Sequence, residues 1–197
     1  MRHFAATCLF MLLSLPSEAE ATSQLEPPAV EVFRESALTL LQVGAIVGEG
    51  VIQSMTEAQG PVPKEVSASY QLAKSLKLQL EARSILLGPV PEDVLPQKRG
   101  RALSGDTPNS LQVFTDYNAI SYLPFRWGTY QYGMKGRARL IDGAGKVKWE
   151  RKCYIRHTSA DLRFQITKDG FDSDGRRIRE MVEAAAKECA RLIVEQI

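Results

Sequence analysis

Between Tyr130 and Ile141 the chain sorts its residues by parity. Tyr130, Tyr132, Met134, Ala138 and Leu140 fall on one side; Gln131, Lys135, Arg137 and Arg139 fall on the other. A period of two marks a strand with one buried face. Asp142-Gly143-Ala144-Gly145 reads as a turn, and beyond it Val147, Trp149, Cys153 and Ile155 alternate with Lys146, Lys148, Glu150, Lys152 and Arg156. The two segments predict an amphipathic hairpin, in which Arg151 breaks the apolar parity. A further strand near Leu111 to Tyr117 would supply the third strand that an independently stable sheet needs.

Elsewhere the period lengthens. From Ala29 to about Ala58, Val30, Phe33, Ala37, Leu40, Leu41, Gly44, Ile46, Val47, Val51 and Met55 recur at helical spacing. Gly60-Pro61-Val62-Pro63 ends that segment. A second helix is expected from Lys64 to about Ser84, with Val66, Tyr70, Ala73, Leu76 and Leu80 on one stripe. Ile85 to Leu87 reads as a short strand, and Pro89 to Pro108, rich in proline, glycine and charge, reads as a flexible loop reaching to about residue 110. From Ser173 to Ile197, Ile178, Met181, Val182, Ala185, Cys189, Leu192 and Ile193 make a helical stripe, with Asp172 or Ser173 available as N-cap. The predicted fold is α+β: an antiparallel sheet of about three strands packed against an N-terminal helical hairpin and a C-terminal helix.

The first residues change the picture of where such a domain would work. Arg2 and His3 precede an apolar run from Phe4 to Leu15, then Pro16 and the small residues of Ser17-Glu18-Ala19-Glu20-Ala21. This is the pattern of a cleaved signal peptide spanning residues 1–21, leaving a single domain over 22–197. The run is shorter than the roughly 20 residues that cross a bilayer, and Cys8 lies inside it rather than after a lipobox, so no transmembrane span is expected in the mature chain. Cleavage after Ala21 would leave 24 Lys and Arg against 21 Asp and Glu, obtained by removing Arg2, Glu18 and Glu20 from the 25 basic and 23 acidic residues. That balance exerts no global pull on nucleic acid or membrane. Of the 3 cysteines, Cys153 and Cys189 would remain. One falls on the apolar face of a strand and the other on the apolar stripe of a helix, and in an oxidising compartment an even pair on facing surfaces implies a disulfide.

The run Trp127-Gly128-Thr129-Tyr130, the stretch Gly136-Arg137-Ala138-Arg139-Leu140-Ile141-Asp142, then Gly145-Lys146-Val147-Lys148-Trp149-Glu150 with Cys153, and a terminal helix carrying Ala184-Ala185-Ala186-Lys187-Glu188-Cys189 resemble a family of uncharacterised secreted or periplasmic proteobacterial proteins. The resemblance covers roughly the C-terminal half. It implies an exported α+β domain with a bridge between the hairpin cysteine and the helix cysteine, and it brings no catalytic residues with it. Lys168 to Gly175 departs from the tyrosine-and-acid approach to the helix that goes with the family.

Candidate chemistry is sparse. After cleavage His157 is the remaining histidine, too few for a Ser-His-Asp or Cys-His nucleophile system or for a zinc site, and no Gly-x-Ser-x-Gly or His-Glu-x-x-His run occurs. Asp169, Asp172 and Asp174 with Gly175 suggest a calcium loop, but with Gly175 sixth, Gly170 takes the first ligand position and Met181 the twelfth. A turn and helix cap is the plainer reading, although two of these carboxylates could serve as acid and base in glycoside cleavage. Gly44, Gly48 and Gly50 mark close helix packing, since Gln42, Glu49 and Gln53 interrupt the apolar run that a membrane pair would need.

The remaining candidate is the polar face of the hairpin. Lys135, Arg137 and Arg139 on one strand would lie near Lys148, Lys152 and Arg156 on the next, with Tyr154 among them, as an anion-binding or partner-binding patch. A solvated face that discourages edge-to-edge aggregation accounts for the same charges. Most tyrosines have core parity, which speaks against a nucleic-acid stacking platform. No cofactor is implied. The expected function is non-enzymatic binding of an envelope protein or an anionic envelope component in the periplasm or outside the cell, with a carboxylate-dependent hydrolase of cell-wall glycan as the alternative.

Overall fold

The structure, a computed structural model, describes residues 26–33, 39–41, 67–92, 108–123, 126, 128–156, 161–167 and 175–197. Its centre is the predicted hairpin. Strand β4 (Thr129–Ile141) and strand β5 (Val147–Ile155) pair antiparallel from Met134 opposite Ile155 to Ile141 opposite Val147, with a register shift at Leu140/Ile141. The turn forms as its residues require. The Asp142 carboxylate accepts from the Ala144 and Lys146 backbone N–H groups, both at 2.9 Å, and Gly145 adopts a left-handed φ of 76° where other residues are strained.

Strand β3 (Ser110–Tyr122) pairs antiparallel with β4 along its whole length, with a bulge between Thr115 and Tyr117. It is much longer than the sequence pattern suggests because both of its faces are buried, so the polar alternation that marks a half-buried strand is missing. The segment predicted as a first helix opens instead with two short strands, β1 (Ala29–Val32) and β2 (Thr39–Leu41), both parallel to β3. Val30 and Val32 recur at a spacing of two and enter the core, a β signal that the longer helical count overrode. The expected helical hairpin is therefore not formed at its start, while residues 42–66, including Gly44, Gly48 and Gly50, lie outside the described residues. Strand β6 (Gln165–Thr167), preceded by a single 3-10 turn (Leu162–Phe164), pairs antiparallel with the other end of β4. Among the described residues the sheet thus has six strands rather than about three and is mixed rather than antiparallel, with the predicted antiparallel unit β3-β4-β5 as its body.

Among the described residues two helices cover one face. Helix α1 (Ala68–Glu81) starts where Ser67 Oγ accepts from the Tyr70 N–H at 3.2 Å, and Ser84, at a φ of 64°, turns the chain away after it. Ile85 to Leu87 then form no strand; the Leu87 carbonyl accepts from Lys77 Nζ at 2.9 Å, and Gly88 N–H donates to Pro28 O at 2.8 Å. Helix α2 (Arg176–Val194) begins after Gly175, whose φ of 66° makes it the N-cap in place of Asp172 or Ser173, and no side chain caps it. Leu72, Leu76 and Leu80 of α1 and Met181, Val182, Ala185, Cys189 and Ile193 of α2 meet Leu111, Val113, Ile120, Tyr132, Met134, Ala138 and Ile155 in one core. Among the described residues no helix is long and apolar enough to cross a membrane.

The cysteines meet as expected. Cys153 and Cys189, 36 residues apart in sequence, are disulfide-bonded with their Cα atoms 5.3 Å apart. The bond is buried and lies directly over Gly136, where a Cβ would come within 2.7 Å of Cys189 Sγ and of Leu72 Cδ2 and 2.9 Å of Cys153 Sγ. Glycine at this point in β4 is what lets α1, α2 and the bridge settle on the sheet.

Candidate functional site

Register places Lys135 opposite Tyr154, Arg137 opposite Lys152 and Arg139 opposite Glu150, all on the sheet face away from the helices. That face is far from uniformly wet. Arg139 is 7% exposed, donates from Nε to Gln112 Oε1 at 2.6 Å, and lies 5.5 Å from the centre of the Phe114 ring. Gln112 in turn donates to Glu31 Oε2 at 2.7 Å, so one amide links the guanidinium to a carboxylate across three strands. Phe114 stacks on Phe33 with ring centres 4.6 Å apart, and the Arg137 guanidinium sits over the Phe114 ring, 4.5 Å from its centre. Cation and ring attract through the ring quadrupole, and the burial of Arg139 with Phe114 raises the value of that contact.

Acidic residues enter the same face. Arg137 reaches Asp116 at 3.2 Å and Glu150 at 3.9 Å, and Lys152 reaches Glu150 at 3.3 Å. Glu150 shares the parity of Lys152 and could have been counted from the sequence; Asp116 arrives through the bulge in β3, which no alternation reveals. The exposed basic groups are Lys135, Lys148, Lys152 and Arg156, with Tyr154 between them at 47% exposure. Lys148 stands at the register shift beside the turn, where the backbone N–H groups of Lys146 and Ala144, with smaller help from the charges of Lys148 and Lys146, hold the Asp142 carboxyl below its ordinary range.

Toward the other end of the same face, register lines up Ser121, Gln131 and Gln165 across β3, β4 and β6. All three are buried, so the outward parity of Gln131 does not mean contact with water.

Arg151, the parity breaker, lies opposite Ala138 on the helix side. Its Nε donates to Gln196 O and its Nη1 to Glu150 O, both at 2.9 Å. Arg83 Nη1 donates to Val194 O at 2.7 Å, so two cations occupy the carbonyl end of α2, where its dipole favours them.

Asp169, Asp172, Asp174 and His157 lie outside the described residues. Among the described residues no group of three or more His, Cys, Asp or Glu converges as a metal site would require.

No family model and no curated protein matches this chain. Among solved structures, one titled "Crystal structure of uncharacterized protein" is similar at 10% identity with a TM-score of 0.33, covering 87% of this chain and 89% of that one. A likeness at that level carries no inference about fold or activity.

Proposed function

We propose that this chain is a non-enzymatic protein of the cell envelope, related to the uncharacterised secreted or periplasmic proteins that its C-terminal half resembles. In this reading it binds an anionic envelope component or an acidic protein surface through the hairpin. The observation that carries the reading is the division of labour among the basic residues. Arg137 and Arg139 are engaged by Phe114, Asp116 and Gln112, whereas Lys135 on β4, Lys152 on β5, paired only with Glu150, and Arg156 just beyond β5 are exposed around Tyr154. The inner arginines hold the face in shape, and the outer groups meet the ligand.

The reading predicts that Lys135→Glu with Arg156→Glu weakens co-sedimentation with lipopolysaccharide or with vesicles bearing anionic headgroups, and that wild-type binding falls as salt rises, because exposed charges are screened over about 10 Å at 0.1 M. Neutral vesicles serve as the control. Crosslinking in envelope extracts tests an acidic protein partner with the same variant. Binding unchanged by the charge reversal, with thermal unfolding also unchanged, would return these residues to the role of a solvated strand face.

A further inference from the structure

We draw no further inference here: the strongest candidate, the row of buried Ser121, Gln131 and Gln165 side chains across β3, β4 and β6, in which Ser121 Oγ, both Gln131 amide atoms and Gln165 Nε2 have no hydrogen-bond partner among the described residues, carries nothing because nothing in the structure shows what covers it.

Discussion

At the residue scale, Gly136 is the position where substitution should cost most for its size. A single methyl there meets both sulfurs of the bridge and Leu72 at once, in a core already filled by α1 and α2. Overpacking of this kind typically costs about 1 to 3 kcal/mol. Gly136→Ala should therefore lower the unfolding free energy by that amount, read as a lower urea midpoint at unchanged slope on oxidised protein; an unchanged midpoint would mean that the bridge does not sit over the strand as described. Arg139 teaches the complementary point. Its parity was readable, but its burial was not, because a guanidinium is taken inside only where Gln112 and Phe114 wait on an adjacent strand.

At the element scale, the hairpin and α2 are joined covalently, and the crosslink closes 36 residues of chain. Constraining a loop of that length in the unfolded state stabilises by roughly 3 to 4 kcal/mol in the chain-entropy view. Replacing both cysteines by alanine should lower unfolding free energy by about 2 to 5 kcal/mol, read by chemical denaturation of the oxidised wild type against the variant. A loss well under 1 kcal/mol would show that packing of α2 on the sheet suffices without the bridge. Much of this was legible: two independent periodicities put the cysteines on apolar faces. The strands at residues 29–32 and 39–41 were not, because a strand of three or four residues offers too few positions to separate a period of two from one of 3.6.

At the scale of the whole molecule, paired carboxylates along α2 and at two turns make stability depend on acid. Hydrogen bonding from Arg191 lowers the Glu188 carboxyl, from Lys187 the Glu183 carboxyl, from Arg163 the Asp161 carboxyl, and from the Lys146 backbone that of Asp142. For each, the folded state holds the proton less tightly than the unfolded chain. The stabilisation is present above the ordinary carboxylate range and is lost as pH falls through it to the lowered values. Thermal unfolding temperature should be nearly constant around neutrality and decline progressively below about pH 4.5, less steeply at high salt because these pairs are largely exposed. A decline beginning near pH 6 would point to a different titrating group. The export reading is tested at the same scale: N-terminal sequencing of the cellular product should begin at Glu20 or Thr22, and an intact Met1 would overturn it.

The amino-acid pattern by itself determined the α+β class, the β4-β5 hairpin with its turn, the existence of α1 and α2, and the pairing of Cys153 with Cys189, because each rests on local periodicity or on a small count of one residue type. Tertiary structure decided what depends on neighbours distant in sequence. The parallel addition of β1 and β2 needs β3 as a template. The full length of β3 is hidden by burial on both faces. The split of the basic face into a buried Arg139, a half-buried Arg137 and exposed Lys135, Lys148, Lys152 and Arg156 is set by Phe33, Gln112, Phe114 and Asp116. The hydrogen bond from the Gln196 amide to the Lys152 carbonyl depends on a turn that returns to β5 from 44 residues further along the chain. Side-chain parity states which way a residue points; only the assembled sheet states what it meets there.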